Sequence, residues 1–445
     1  MSEVETVVVG AGLAGLTCAL QLAGHRREVL LLEARDVAGG RTSSWEERGM
    51  PVDSGLHRVL GCGTELPRLL RRAGMSLDEV VYWEDELEFR TPGGTRAVLG
   101  ASPLYNPLRT LLGPLVSWDL LAPWDLASLV PFLTAGVARY LADPDGLDRF
   151  SLSAFARRWR VTDTAVGNLL VPASAGVFFL PPSRYSAANF FGLLVPALPG
   201  IHRTRVGAFR GGMTEVLADP LVAAIRARGG EVRTGTEVLG VRMDLGAAAP
   251  EVTGVDTAAG TVGARHVVVA TDPGNAQRLL APLARHPWFR RLLSAPTTPA
   301  VTVQFELDRP ALPVDRTTFG PGTVLAAFSE QSRTTFPHAE GRLSVILEEP
   351  ERFLAASEDE IAKTVIADAA RIGLDLDRHL LRHRVVRYPH DFLSLEPGHL
   401  ADRPSQHTPV RGLVLAGDYT RQRWLSTMEG AVLSGELAFQ ELEQT

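Results

Sequence analysis

The chain has 445 residues, 45% of them hydrophobic and 22% charged, with a formal net charge of −6. This composition predicts a folded protein of two domains, excludes a disordered chain, and gives no reason to expect nucleic acid as a partner. Two cysteines, Cys18 and Cys62, cannot form a disulfide framework and predict a reducing, cytoplasmic location. No signal peptide is expected before the first strand.

The N-terminal segment has the pattern of a dinucleotide-binding turn. Thr6 to Val9 predicts a buried parallel strand, and Leu16 to Leu22 predicts the helix that follows. Glycines between them permit a tight bend and the close approach of a pyrophosphate, and the helix N-terminus attracts phosphate. The cofactor contacts predicted for this turn are Gly10, Ala11, Gly12, Leu13, Ala14 and Gly15.

A second predicted strand, Glu28 to Leu32, leads to an acidic residue, Glu33. A carboxylate there can accept hydrogen bonds from ribose hydroxyls and would repel a 2′-phosphate. The glycine pair and arginine that follow suit a cofactor longer than NAD, because Arg41 can pair with phosphate while the glycines allow close backbone approach. The cofactor contacts predicted here are Glu33, Ala34, Arg35, Gly39, Gly40, Arg41 and Thr42.

These motifs resemble the FAD motif shared by flavin amine oxidases, protoporphyrinogen oxidases and carotenoid desaturases. Near the C-terminus, Gly417-Asp418 and Glu429-Gly430-Ala431 are similar to the closing FAD motif of the same families. The resemblance implies noncovalent FAD, with Asp418 beside the ribityl–phosphate region. It also implies that N–H groups near Gly430 and Ala431 face the pyrimidine edge of the flavin, where a helix N-terminus favours reduction.

The middle of the chain extends the resemblance. It implies that Val238 lies near the adenine and that Ala270 and Thr271 lie near the pyrophosphate. A helix is predicted from Thr214 to Arg228, and strands around Val232 and at 267–270. The implied fold is α/β. It has a Rossmann-type FAD-binding domain (residues 1–84, 206–294 and 401–445) with an inserted, partly helical substrate domain (residues 85–205 and 295–400), as in amine oxidases and phytoene desaturases.

One further segment, Asp53-Ser54-Gly55-Leu56-His57, resembles the zeta-carotene desaturase and hydroxysqualene dehydroxylase branch. The resemblance implies that Gly55, Leu56 and His57 lie near the isoalloxazine, with His57 as a proton-handling or flavin-positioning group. A buried, hydrogen-bonded histidine is the alternative. The remaining histidines are scattered and the two cysteines are far apart, so no metal site is predicted.

Two stretches of the first insertion, 111–141 and 169–198, are apolar and rich in aromatic residues, among them Trp118, Trp124 and Phe132. They suit the helical core of a substrate domain, the lining of an apolar tunnel or an interfacial anchor. No run reaches the ~18 apolar residues of a membrane span. The predicted function is FAD-dependent hydride exchange at N5 with a long isoprenoid, as in a carotenoid desaturase or squalene-type dehydroxylase. Peripheral contact with the inner face of the membrane is a further expectation.

Two alternatives stay open. Flavin amine oxidases of this fold usually keep a lysine hydrogen-bonded through water to N5, and protoporphyrinogen oxidases share the fold. The single lysine, Lys363, follows a capping-box helix start at Ser357-x-x-Glu360 and is expected on the surface. The second alternative is a flavin-free prenyl-lipid-binding protein of the same fold, which the retention of Glu33, Arg41 and the closing motif disfavours.

Overall fold

A computed structural model describes residues 3–107, 110, 120–246 and 250–444. Most of the first half of the apolar stretch 111–141, including Trp118, therefore lies outside the described residues. The strands, in chain order, are β1 Glu3–Val9, β2 Val29–Leu32, β3 Ser44–Glu47, β4 Met50–Asp53, β5 Val59–Leu60, β6 Val81–Glu84, β7 Glu86–Arg90, β8 Arg96–Gly100, β9 Val206–Phe209, β10 Glu231–Arg233, β11 Val238–Asp244, β12 Glu251–Thr257, β13 Gly260–Val269, β14 Thr297–Leu307, β15 Thr318–Phe319, β16 Leu325–Glu330, β17 Gly341–Leu347, β18 Leu380–Leu393 and β19 Leu413–Leu415.

The helices vary from single turns to twenty residues. Two of them are named here: the first helix, Leu13–Gly24, and the closing helix, Met428–Glu443. The other α-helices are Glu65–Arg72, Leu77–Val80, Pro123–Ala142, Pro144–Leu147, Leu152–Arg158, Asp163–Ala165, Val171–Phe178, Ala187–Ala197, Asp219–Arg226, Pro273–Leu280, Arg290–Ser294 and Glu358–Arg371.

The first seven-stranded sheet carries the glycine-rich turn. Strands β10, β2, β1, β13 and β19 lie side by side and parallel, while β12 and β11 extend the sheet in antiparallel fashion from the first half of β13. The four residues of β2 are all buried, as expected for a parallel strand covered on both faces. The first and closing helices pack together on one face, so the two ends of the chain meet at the turn.

The second seven-stranded sheet has the order β18-β14-β17-β16-β15-β7-β8. Alternate residues of β14 point to opposite faces. Val301, Val303 and Phe305 pack against the helix Glu358–Arg371, while Thr302 faces away from it toward the segment Ser54–His57. This sheet therefore brings one face of β14 to the part of the first domain that carries His57.

A layer of helices covers the second sheet on the face that bears Ala300. Phe132, Phe155 and Phe191 are fully buried in it, and their ring centroids lie 5.3–5.9 Å apart. The predicted apolar stretches thus supply buried helical surface, although Trp124 and Leu141 are exposed on the helix Pro123–Ala142. No helix among the described residues combines the length and the apolarity that crossing a membrane requires.

The α/β fold class that the sequence predicts is confirmed, and the predicted limits of the two domains stay a prediction. One predicted helix differs from the observed structure. The stretch 214–228 forms a π-helical turn, Thr214–Ala218, followed by the helix Asp219–Arg226. Pro220 has no N–H to continue a regular hydrogen-bond pattern, which accounts for the break at this point.

Candidate cofactor and active site

The glycine-rich turn leaves part of its backbone open. Gly10 has φ of +100°, and a Cβ there would lie 2.9 Å from the carbonyl oxygen of Ala270. A Cβ at Gly15 would lie 1.9 Å from the carbonyl oxygen of Gly10. Gly12, the N-cap of the first helix, is different because a Cβ there would meet no atom within 4 Å. The turn is tightly packed on its inner side and accessible at Gly12, as a phosphate cradle requires.

Glu33 closes the end of this turn. Its side chain is 8% exposed, and it accepts hydrogen bonds from the N–H groups of Ala11 (2.8 Å) and Arg35 (3.0 Å). Thr236 N–H donates to the carbonyl oxygen of Glu33 at 2.8 Å, which holds the start of β11 and its buried Val238 nearby. The carboxylate is thus fixed at the tip of β2, where a ribose would be bound.

The second glycine pair lies against the first motif. Gly39 N–H donates to the carbonyl oxygen of Ala11 at 2.8 Å, and Gly40 has φ of +58°. A Cβ at Gly40 would lie 3.1 Å from Cα of Gly12. Two segments separated by the first helix and β2 therefore form one backbone surface around the half-buried Gly12.

Arg41 joins three separate parts of the chain. Its guanidinium forms an ion pair with Asp418 and a longer one, 3.5 Å, with Asp391, and it lies 5.5 Å from the ring centroid of Phe392. Burial alone would lower the pKa of Arg41, but Asp418 and Asp391 raise it above its ordinary value. Burial raises the pKa of Asp391 to about 6, although Arg41 opposes the change. The predicted residues Arg41 and Asp418 are in contact, and Asp391 is a partner that the sequence did not indicate.

His57 is connected to this group through Ser54. Its Nε2 lies 2.9 Å from Oγ of Ser54, and that hydroxyl donates to the carbonyl oxygen of Arg41 at 2.8 Å. Because the hydroxyl has a single hydrogen, Nε2 of His57 must be the donor in their bond, which leaves Nδ1 as an acceptor. Burial, together with the charges of Arg58 and Arg41, lowers the pKa of His57 to about 4, so the ring is neutral at neutral pH.

Thr302 of β14 borders the same segment and was also missed. Its hydroxyl donates to the carbonyl oxygen of Ser54 at 3.4 Å, and a Cβ at Gly55 would lie 3.7 Å from both its methyl group and the ring of His57. Lys363 is exposed on the helix that packs against the opposite face of β14. Its exposed position agrees with the surface location expected from the sequence.

The closing helix corrects one detail of the sequence analysis. Gly430 N–H donates to Oγ1 of the N-cap Thr427 at 3.1 Å, and Ala431 N–H donates to the carbonyl oxygen of Thr427 at 2.9 Å. Both N–H groups predicted to face the flavin are therefore engaged within the helix. Glycine is required at 430 because a Cβ would lie 1.9 Å from the carbonyl oxygen of Trp424.

Glu429, which the closing motif predicts as a cofactor-binding residue, contacts the start of another helix. Its carboxylate accepts hydrogen bonds from the N–H groups of Thr64 and Glu65, at 2.6 Å each, and of Leu66 at 3.0 Å. These groups begin the helix Glu65–Arg72, so Glu429 is its cap. Burial raises the pKa of Glu429, and the three N–H groups oppose that rise.

The arrangement fits FAD. The open backbone at Gly12, the fixed carboxylate of Glu33 and the guanidinium of Arg41 supply donors and acceptors for a pyrophosphate and a ribose. The hydroxyl of Tyr419 is buried, with no hydrogen-bond partner among the described residues, and Asp272, Asp418 and Arg41 are its charged neighbours. A buried hydroxyl of this kind calls for a further polar group. No group of three metal-ligating side chains occurs in the described part of the chain.

Comparison with known proteins agrees with this geometry. Residues 13–442 match the family described as flavin containing amine oxidoreductase. The chain is 27% identical to 15-cis-phytoene desaturase of Solanum lycopersicum, over 99% of this chain and 78% of that one. It is 25% identical to the zeta-carotene desaturase of a Synechocystis strain, over 98% of this chain and 97% of that one.

Solved structures resemble the whole chain. An oxidoreductase from Methanosarcina mazei superimposes with a TM-score of 0.75 at 19% identity, over 99% of this chain and 100% of its own. Putrescine oxidase bound to putrescine gives a TM-score of 0.74 at 18% identity, over 100% of this chain and 99% of its own. At these identities the likeness shows the fold.

Proposed function

This chain belongs to the flavin-containing amine oxidoreductase family, and from that premise we propose that its substrate is a long, apolar isoprenoid. The protein is a flavin-dependent oxidoreductase, and its cofactor is FAD. The proposal narrows this activity to the class of reactions carried out by carotenoid desaturases and squalene-type dehydroxylases. Two of the relatives, from tomato and from a cyanobacterium, are named as carotenoid desaturases.

One observation carries the proposal. Leu56, between Gly55 and His57, packs against a cluster of aromatic and aliphatic side chains in the helical layer. Its centre, formed by Phe132, Phe155 and Phe191, is fully buried. The surface that a hydrocarbon could contact is at its partly buried margin, which includes Phe190, Tyr388 and Phe392. Burying a hydrocarbon against such surface stabilises binding by about 0.8 kcal/mol per methylene. An isoprenoid could therefore be held beside this segment without a charged anchor.

The charges near His57 disfavour an amine. Arg41 and Arg58 both lower the pKa of His57, and Arg41 lies beside Ser54. Aliphatic amines are protonated at neutral pH, and two cations at the site would repel the ammonium form. The described residues around Ser54–His57 offer no lysine, since Lys363 is exposed on the far side of β14.

Bound FAD supplies a two-electron acceptor that takes up hydride at N5. Removing two hydrogens from neighbouring carbons releases one hydride and one proton, so a proton acceptor is needed within an apolar surrounding. Nδ1 of neutral His57 is the free lone pair that this segment offers, because Ser54 holds the proton on Nε2, but burial and the nearby arginines make it a weak base. The aromatic cluster would orient the chain and exclude water, and His57 would accept the proton.

The test offers FAD-loaded protein in detergent a panel of carotenes, squalene derivatives, amines and porphyrinogens under anaerobic conditions. Flavin bleaching and product chromatography are the measurements. We expect either that a carotene reduces the oxidised flavin or that a hydroxylated squalene derivative reoxidises chemically reduced flavin. Leu56→Asp should abolish that reaction, while Leu141→Asp, at an exposed position, leaves it unchanged. Reduction by an amine without turnover of any isoprenoid would transfer the assignment to an amine oxidase.

A further inference from the structure

A positively charged groove lies on the surface, away from the glycine-rich turn. It has a volume of about 400 Å³ and is bordered by the helix Glu65–Arg72, by the residues before and within β6, and by the turn that precedes β9. Its charged lining consists of four arginines and one carboxylate. These are Arg68, Arg71, Arg203, Arg205 and Asp78.

Two of the four arginines have no compensating charge. Arg68 forms an ion pair with Glu65 at 2.5 Å, and Arg205 forms one with Asp85 at 3.0 Å. Arg71 and Arg203 are exposed, and neither forms an ion pair with any described residue. The groove is thus locally cationic in a protein whose net charge is −6. Guanidinium groups that have no paired carboxylate are suited to bind phosphate.

Exposed apolar side chains occur in the segments that border the groove. Leu60 is 38% exposed, Tyr105 52% and Ile201 44%. The guanidinium of Arg205 lies 4.1 Å from the ring centroid of Tyr105 and 5.3 Å from that of Trp83, so the aromatic rings form part of the groove wall. A large apolar side chain in water next to an uncompensated arginine is the combination found where a protein meets a lipid surface.

The turn at Leu60-Gly61 contacts the segment that follows the helical turn Leu198–Arg203, so the exposed apolar residues of both belong to neighbouring segments. Gly61 N–H donates to the carbonyl oxygen of Arg205 at 2.9 Å, and a Cβ at Gly61 would lie 2.5 Å from the carbonyl oxygen of Arg203. Leu60 therefore sits directly beside the helical turn Leu198–Arg203 that carries Ile201.

We propose that this groove binds the phosphate of an anionic phospholipid and docks the protein on a bilayer. Arg71 and Arg203 would pair with the phosphate oxygens, while Leu60, Tyr105 and Ile201 enter the boundary of the acyl chains. The inference rests on the proposed function, because an isoprenoid substrate is dissolved in the bilayer rather than in water. A soluble phosphate ester shares the recognition chemistry, and the experiment separates the two sources.

The experiment is flotation of the FAD-loaded, full-length protein with vesicles. Vesicles of phosphatidylcholine alone are compared with vesicles that also contain phosphatidylglycerol, at low and high salt. We expect binding only to the anionic vesicles, weakened by salt, since the attraction is screened within a Debye length. Absence of binding to anionic vesicles at low salt overturns the proposal.

A matched pair of variants locates the interaction. Arg71→Gln/Arg203→Gln removes two charges from the groove, and Arg285→Gln/Arg290→Gln removes two exposed arginines from outside it. Each arginine near an anionic surface strengthens binding about 5-fold, so the groove variant should bind about 25-fold more weakly. The control should remain within about 2-fold of the unmodified protein. Equal losses of vesicle binding in both variants would show nonspecific electrostatic attraction to the vesicles and overturn the proposal.

Two further arms complete the test. Inorganic phosphate is titrated into the protein without vesicles. Saturable binding at the groove that also blocks flotation would indicate a soluble ligand and overturn the lipid assignment.

Turnover of isoprenoid is then measured in detergent. The groove variant should keep its full rate there, so that failure of vesicle binding is distinguishable from failure of the proposed reaction.

Discussion

The two ends of the chain meet at the cofactor site, and both are rich in glycine, but their glycines serve different purposes. In the N-terminal turn, Gly12 faces open space, with no atom within 4 Å of a built Cβ. In the closing helix, Gly430 and Gly435 face backbone oxygens of Trp424 and Ala14, at 1.9 Å and 2.2 Å from a built Cβ. The first region leaves room for a ligand, whereas the second is closed by the protein's own chain.

The difference shows that glycine in a motif has two physical meanings. A glycine whose missing side chain leaves a free volume exposes backbone N–H groups, which can bind phosphate. A glycine whose missing side chain is replaced by a neighbouring carbonyl allows two segments to pack closely. Substitutions at the two kinds of position should therefore affect different measurable quantities: ligand affinity in one case and stability in the other.

The largest effect is expected at Gly430. Gly430→Val places two methyl groups where the carbonyl oxygen of Trp424 lies, so the loop before the closing helix must move. We expect the free energy of unfolding to fall by about 3 kcal/mol, as for severe overpacking. Urea denaturation of the FAD-free protein measures it. Gly240→Val, where nothing lies within 4 Å, is the control. Unchanged stability with weakened FAD binding would mean that Gly430 faces the cofactor after all.

The opposite result is expected at Gly12. Gly12→Ala adds a methyl group into open space at an N-cap with φ of −72°, which alanine tolerates. The free energy of unfolding should change by less than about 1 kcal/mol. The free energy of FAD binding should weaken by about 2 kcal/mol, because backbone donors lose contact with phosphate. Titration of apoprotein with FAD measures this, with Gly240→Ala as the control, and retained affinity would place the pyrophosphate elsewhere.

His57 allows a pH test of the region between these two ends. Its folded-state pKa is lowered to about 4 from an ordinary 6.5, so the unfolded chain binds the proton more readily. The contribution of neutral His57 to the free energy of unfolding is therefore fully present above pH 6.5, and it is lost as the pH falls toward 4. The unmodified protein should lose about 1–2 kcal/mol more than His57→Gln over this window.

The informative quantity is the difference in unfolding free energy between the unmodified protein and His57→Gln. Burial raises the pKa of Asp53 to about 7, and buried carboxyl groups of this kind titrate over the same pH range in both proteins. His202→Gln, at an exposed position, should follow the unmodified protein. Parallel pH profiles for His57→Gln and the unmodified protein would contradict the buried, neutral state of this ring.

Distance along the chain decides which contacts of this site could be predicted from the sequence. The turn at Gly10–Gly15 and Glu33 is local, because strand, turn, helix and acid follow one another within about one βαβ unit, so their arrangement could be predicted. Asp391 and Thr302 contact Arg41 and Ser54 across 350 and 248 residues. In sequence they are ordinary strand residues, and only the pairing of β14 with β18 brings them to the site. The packing of Gly430 depends likewise on the loop at Trp424, which has no helical or strand pattern of its own.

The smallest effect is expected at Glu429, which lies in the glycine-rich part of the closing helix yet caps another helix. Its carboxylate accepts three N–H groups at the start of Glu65–Arg72, an arrangement that a neutral amide satisfies only in part. Glu429→Gln should lower the free energy of unfolding by about 1 kcal/mol, the usual contribution of a cap. The side chain points to this helix and not to the open face of Gly12, so the FAD affinity of the variant should stay within about 2-fold of the unmodified protein. Loss of one charged hydrogen bond to FAD would weaken the affinity much more. Denaturation and FAD titration are measured side by side, with the exposed Glu340→Gln as the control. A loss of FAD affinity at unchanged stability would return Glu429 to the cofactor site and remove the distinction between the two ends of the chain.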